Sequence, residues 1–154
     1  MLLFKIYNNN IILYRLLYFV KVMSDNYETD KWLANIFAGW YDPCPLDPEP
    51  KFDGLLTDWN INTFVNPPYS NPKVWVRKAI TENREYGATI VLLLKMDSST
   101  VWFQELVEAG AHFLWVNKRL KHCTKSAAAF PSMLAVLEGH DKKQTRIVQL
   151  DTGI

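Results

Sequence analysis

Ala88-Thr89-Ile90-Val91-Leu92-Leu93-Leu94 forms an uninterrupted apolar run between Gly87 and Lys95. A strand with one wet face alternates apolar and polar residues, so this run suits a strand covered on both faces. Its flanks supply the covers. Ahead of it, Pro72 after Asn71 sits at a favoured first helical position, Trp75, Ala79 and Asn83 share one face, and Gly87 ends the helix. Behind it, Ser98-Ser99-Thr100 offers N-cap oxygens to a second helix, with Trp102, Leu106 and Ala109 in register and Gly110 closing it. Residues 111–116 read as a further strand, and Met133 to Leu137 as a last one. The succession predicts an α/β fold: an open, mostly parallel sheet whose terminal strands pair as an antiparallel hairpin.

Upstream, Phe64-Val65 is a short strand that runs straight into Asn66-Pro67-Pro68-Tyr69. Residues 29–38 read as a helix, with Trp32, Ile36 and Phe37 on one side and Gly39 as the stop. Between them, Trp40 to Pro50 carries Pro43, Pro45, Pro48 and Pro50, which no helix or central strand accommodates. A sheet of this class binds ligands beyond the carboxyl ends of its strands. Asn66–Tyr69 and Lys95–Thr100 both lie at such ends.

Composition narrows the class. The 154 residues match the size of one domain, and 49% hydrophobic with 14% aromatic residues can bury a core. Seventeen basic against sixteen acidic residues give a net charge of +1, which excludes holding nucleic acid mainly by bulk charge. Cys44 and Cys123 stand far apart, without the spacing of a disulfide framework or a cysteine zinc site, and suit a reducing compartment. His112, His122 and His140 show no ligand spacing, so no metal is expected. Residues 1–22 hold Lys5, Arg15 and Lys21 and no acid, but their longest clean apolar run, Leu16 to Val20, is far too short for a membrane span. They read either as an extension outside the functional fold, with Met23 opening a single domain over 23–154, or as an added strand or helix.

Asn66-Pro67-Pro68-Tyr69 carries the chemistry. Two prolines fix φ twice and remove two backbone donors, leaving carbonyl oxygens to point into a cleft. Asn66 adds a side-chain acceptor, and Tyr69 a flat face on which a flipped base can stack. Two acceptors on the protons of an exocyclic amine pull its nitrogen toward a tetrahedral shape. The lone pair can then attack an electrophilic methyl group in line, with no strong base needed.

These residues resemble the catalytic motif of S-adenosylmethionine-dependent amino methyltransferases, and residues 27–137 resemble the phage-type DNA N-6-adenine methyltransferase family. The pieces come in order: Thr29-Asp30-Lys31-Trp32, Tyr41-Asp42-Pro43-Cys44, Asp53-Gly54-Leu55 and Trp59, then Asn66–Tyr69 and Trp75-Val76. Val91–Leu94, Ser99 to Phe103, Arg119-Leu120-Lys121 and Phe130-Pro131-Ser132 follow. The resemblance implies a Rossmann-like methyltransferase fold that acts on adenine N6 in duplex DNA, with the adenine flipped out. It implies that Thr29, Asp42, Pro43, Cys44 and Asn66 bind S-adenosylmethionine, and that Asn66 to Tyr69 hold the amine. Tyr69, Ser70, Lys95, Ser99, Arg119 and Lys121 would face the nucleic acid. It also implies a virus, prophage or other mobile element, hence the host cytoplasm, with no membrane and no obligate protein partner. Asp42 is followed by Pro-Cys-Pro rather than a glycine-rich loop, and Asn66 comes only 24 positions later. A βαβ unit takes about 30 residues, so the first half of the fold is expected to be abbreviated.

Two rival readings stay open. The same motif serves methyltransferases of protein glutamine, cytosine N4 and RNA bases. The missing glycines and shortened half also suit a degenerate, cofactor-less DNA-binding module.

Overall fold

The computed structural model describes residues 28–46, 50–59, 61–121, 128–139 and 147–150; residues 1–22, His122, Cys123, Lys125 and His140 lie outside these. The apolar run becomes β2, Thr89–Lys95, and it is central. On one side it pairs in parallel with β1, Asn62–Val65, from Asn62↔Thr89 to Val65↔Leu92. On the other it pairs antiparallel with β4, Ser132–Leu137, from Ile90↔Leu137 to Lys95↔Ser132. Beyond β4 come β3, His112–Val116, and then β5, Ile147–Leu150, so the order is β1-β2-β4-β3-β5.

Burial on both faces explains the unbroken run. Ile90, Leu92 and Leu94 enter one cluster, with Trp75, Val76, Ala79, Ile80, Trp102 and Leu106. These last come from α2, Pro72–Tyr86, and α3, Val101–Glu108. Val91 and Leu93 enter the opposite cluster, with Leu33 of the short helix α1, Lys31–Ile36. Helices on both faces, and a parallel β1–α2–β2 crossover, give the Rossmann-like arrangement. No helix among the described residues is long and apolar enough to cross a membrane.

The caps are those the sequence offers. Gly87 closes α2 in the left-handed region at φ 69°, where a side chain would be strained. Asn83 does more than share a face with Trp75 and Ala79. Its amide donates to the carbonyls of Ala88 at 2.9 Å and Glu138 at 3.0 Å, tying α2 to the ends of two strands. Thr100 caps α3, accepting from the Phe103 N–H at 3.3 Å.

Three features refine the sequence reading. The terminal strands β3 and β4 do pair antiparallel, from His112↔Val136 to Trp115↔Met133. However, β4 lies inside the sheet rather than at its rim, and so has two antiparallel neighbours. Its sequence, Ser-Met-Leu-Ala-Val-Leu, is buried almost throughout, in keeping with its place between β2 and β3. Strand β5, unread in the sequence, pairs in parallel with β3. The first helix is shorter than residues 29–38 and turns Leu33 inward, while Ile36 is exposed.

The abbreviated first half is visible at the outer edge of β1. Tyr41 makes a single parallel bridge to Thr63, its N–H donating to the Asn62 carbonyl at 3.0 Å and its carbonyl accepting from the Phe64 N–H at 2.9 Å. One residue thus does what a full strand would do: it delivers Asp42 to the same carboxyl edge as Asn66.

Candidate active site

Each putting-together of this edge starts from a strand end. Tyr41 releases the Asp42-Pro43-Cys44 loop, β1 releases Asn66, and β2 ends at Lys95. Strand β4 runs the other way, so its entry, Phe130-Pro131, reaches the same edge, and the Pro131 carbonyl accepts from the Met96 N–H at 3.0 Å.

A cavity of about 340 Å³ opens here, lined by Glu28, Thr29, Asp42, Cys44 and Asn66, with Leu46 and one face of α1. That size is ordinary for a small-molecule site. Four of the five residues expected to bind a cofactor line it together: Thr29, Asp42, Cys44 and Asn66. Pro43, the fifth, is buried within the loop and is not part of the lining. The α1 face consists of Lys31, Ala34 and Asn35, and the sequence reading missed it. The signal was present, because these positions are spaced i, i+3, i+4 on the side away from Trp32 and Leu33.

Polar geometry ties the cavity walls to one another. The Asn66 amide donates to Thr29 Oγ1 at 3.2 Å, joining the motif to the segment before α1. Asp42 Oδ1 accepts from the Cys44 N–H at 2.8 Å and closes a tight turn. Burial raises the Asp42 pKa above its ordinary value, and the Cys44 hydrogen bond only partly opposes this. Burial, and then the charge of Asp42, push the Cys44 thiol up to about 12. Cys44 is therefore a neutral wall residue and a poor nucleophile.

Behind the loop stands a second layer built by residues 53–59. Gly54 lies so close to Pro43 that a Cβ there would meet the Pro43 carbonyl oxygen at 1.7 Å. The Gly54 carbonyl accepts from Trp59 Nε1 at 2.8 Å and from Thr57 Oγ1 at 3.2 Å. Thr57 in turn pairs with the Tyr41 hydroxyl at 2.9 Å.

The motif itself divides. Pro68's carbonyl accepts from the Asn71 N–H at 3.3 Å and so belongs to the turn into α2. The Pro67 carbonyl takes no hydrogen bond among the described residues. Tyr69 stands outside the cavity lining, at 4.8 Å and 75° from the Phe130 ring. Lys95 Nζ lies over both rings, 4.5 Å from the centroid of Phe130 and 5.7 Å from that of Tyr69. Phe130 completes this aromatic corner, and the sequence reading gave it no role.

The remaining residues expected to face a substrate lie around this edge without converging. Ser70 is exposed in the turn before α2. Ser99 donates to Asp97 Oδ1 with its hydroxyl at 2.6 Å and its N–H at 3.1 Å, which holds the Asp97 pKa below its ordinary value, helped by the Lys95 charge. Arg119 Nη1 donates to the Ala128 carbonyl at 3.2 Å. The Lys121 N–H donates to Asp30 Oδ2 at 3.1 Å, which docks the 119–121 segment on the start of α1. Between them Leu120 is buried, so Arg119 and Lys121 stay at the surface.

Comparison with known proteins follows the same lines. Residues 48–145 match the family model described as DNA N-6-adenine-methyltransferase (Dam), a stretch that takes in the motif but begins after the Asp42–Cys44 loop. The chain is 41% identical over 61 residues to a DNA N-6-adenine-methyltransferase of Escherichia phage T1, covering 40% of this chain and 25% of that protein. It is 36% identical over 73 residues to one from Haemophilus phage HP1 (strain HP1c1), covering 46% and 42%. The chain thus spans less than half the length of these curated relatives. Among solved structures, that of a predicted O-methyltransferase from Agrobacterium tumefaciens overlaps 62% of this chain and 43% of its own, with TM-score 0.36 and 19% identity. Matched by the family model over more than half of its length, the chain belongs to the DNA N-6-adenine-methyltransferase (Dam) family.

Proposed function

We propose that this protein transfers a methyl group from S-adenosylmethionine to the exocyclic N6 of an adenine in DNA. One observation carries the reading: Asn66, delivered by the end of β1, lines one cavity together with Thr29, Asp42 and Cys44. An amine acceptor and a cofactor pocket must adjoin for in-line transfer. The donor set fits the cofactor, with a carboxylate, a hydroxyl and an amide around about 340 Å³. When bound, S-adenosylmethionine supplies the electrophilic methyl group. Adenine N6 and DNA are what the family and the two phage relatives are named for.

The chain's own residues supply the rest. Asp42, as a carboxylate, would accept from the cofactor's ammonium or ribose hydroxyls, with Thr29 and Asn66 lining the same cavity. The Asn66 side-chain oxygen and the Pro67 carbonyl would accept hydrogen bonds from the two N6 protons and leave the nitrogen lone pair available for methyl transfer. The proton is lost once N6 carries the positive charge, to water or to an acceptor already in contact. Tyr69, braced by Phe130, stacks the adenine after it leaves the duplex. Arg119 and Lys121 offer phosphate contacts that position the duplex without reading its sequence.

The test is transfer of labelled methyl from S-adenosylmethionine to unmethylated DNA, with the nucleosides then separated. Label in N6-methyladenine from wild type, and none from Asn66→Ala, is the expected result. Label in protein, cytosine or RNA instead would replace the substrate. A folded chain with no cofactor affinity would replace the enzyme by a binding module.

A further inference from the structure

Glu82 is a carboxylate in the core, 1% exposed on α2. A buried charge is costly unless it is paired and hydrogen-bonded. Lys78, one turn earlier, supplies the ion pair. The second Glu82 oxygen accepts from the backbone N–H of Trp59 at 3.2 Å, 23 positions away in the chain. An ion pair within one helix does not require that contact, so the contact ties residue 59 to α2. Trp59 is itself buried and passes the constraint on, because Nε1 holds the Gly54 carbonyl at 2.8 Å. Gly54 then abuts the Pro43 carbonyl, and the Thr57–Tyr41 pair fastens the residue before the loop.

The path therefore runs from α2 to both sides of Asp42. The same helix begins at Pro72, three positions after Tyr69. We propose that Glu82 is a positioning residue: through Trp59 and Gly54 it sets the Asp42–Cys44 loop at a fixed distance from the Asn66–Tyr69 motif. This deepens the cofactor reading, and rests on that reading only for what the loop binds.

Cys44 reports the loop's position without any ligand. In the full chain carrying Cys123→Ser it is the sole thiol, and native-state alkylation by iodoacetamide, followed by intact mass, gives its rate. Glu82→Ala and Trp59→Phe should each raise that rate about 5- to 20-fold, through easier local opening. The double variant should exceed neither single variant by more than about 2-fold, because both cut one path. Glu82→Gln keeps an acceptor for the Trp59 N–H and should stay within about 2-fold of wild type. Leu93→Ala, in the core cluster on the opposite face of the sheet, which holds neither Trp59 nor Cys44, controls for lost stability. It should lower Tm while leaving the Cys44 rate within about 2-fold.

A Glu82→Ala rate no higher than that of Leu93→Ala, or additive effects in the double variant, would overturn the proposal. If Glu82→Ala does not fold, Trp59→Phe alone decides by the same criterion. Calorimetry with S-adenosylmethionine separates the two ideas. Loop rates that shift as expected in a protein without cofactor affinity uphold the positioning role and sink the cofactor reading.

Discussion

Replacing Gly54 with alanine adds one methyl group where the fold has no room for it. The new Cβ would stand 1.7 Å from the Pro43 carbonyl oxygen and 2.7 Å from its carbon, whereas ordinary contact begins at 3.4 Å. The two backbones must part by about 1.5 Å, and neither is free to do so cheaply. Gly54 is held through its carbonyl by Trp59 and Thr57, and Pro43 is the middle residue of the Asp42–Cys44 turn, two positions after the Tyr41 bridge. Overpacking of this kind costs about 1–3 kcal/mol. For a chain this size that lowers Tm by about 2–10 °C. The larger effect falls on function, since an error of about 1 Å in a positioned group can cost about 100-fold.

Calorimetric titration with S-adenosylmethionine should accordingly show Kd raised about 30- to 100-fold for Gly54→Ala. Gly39→Ala supplies the control. Its φ of 85° strains a side chain, but nothing lies within 4 Å of the added carbon. It should lose about 1–2 kcal/mol of stability and change Kd less than about 3-fold. A Gly54→Ala protein with wild-type Kd would refute the claim that the 53–59 segment sets the loop.

Three further outcomes are expected. Asn66→Ala should lower methyl transfer at saturating cofactor by at least about 100-fold, well beyond any loss of cofactor affinity, as single-turnover assays and calorimetry would show; intact turnover would remove Asn66 from the chemistry. Asp42→Asn keeps the acceptor of the Cys44 turn but loses the charge, so cofactor affinity should fall. Because burial raises the Asp42 pKa, folding favours its protonated form, and the ionised group opposes stability above that pKa. The asparagine protein should then melt higher at pH 7, with the gain shrinking as pH falls through the raised pKa toward the ordinary value of 3.8; a gain that grows on acidification would contradict this. Leu93→Ala, fully buried on the α1 face of β2, should cost about 2–5 kcal/mol in denaturant unfolding, and a loss below about 1 kcal/mol would mean that face is not core.

How much of this was legible in sequence depends on how locally each feature is written. The run from Ile90 to Leu94 named a doubly covered strand because both faces are apolar, and both faces are buried. Asn66–Tyr69 was legible because two prolines after a strand leave few conformations. Thr100, Gly87 and Gly110 marked helix ends through their own backbone chemistry. Tyr41 was not legible as sheet, since a one-residue bridge has no periodicity to detect. Nor was the inner place of β4, which depends on pairing with a strand some forty positions earlier. Glu82 falls on the same helix face as Trp75 and Ala79, but its partner, the Trp59 N–H, comes from 23 positions earlier and nothing local announces it. Gly54 likewise needs knowledge of which backbone passes it.

The inner position of β4 also bears on how the chain reaches its native state. Strand β3 gains its antiparallel partner only when residues 132–137 are available, and β2 has one edge open until then. A nascent chain that has emerged only as far as Val116 therefore holds two halves of a sheet with a gap between them. Pairing across such separations is slow, because loop closure precedes any gain from contacts. Meanwhile Ile90 to Leu94 is a five-residue apolar segment without charge or proline, a composition prone to intermolecular β pairing. Lys95 at its end and the two-helix cover of α2 and α3 are the local protections available before β4 arrives. Yield of folded protein should thus respond to synthesis rate and temperature most sharply over residues 117–137, the interval in which the sheet waits for its central strand.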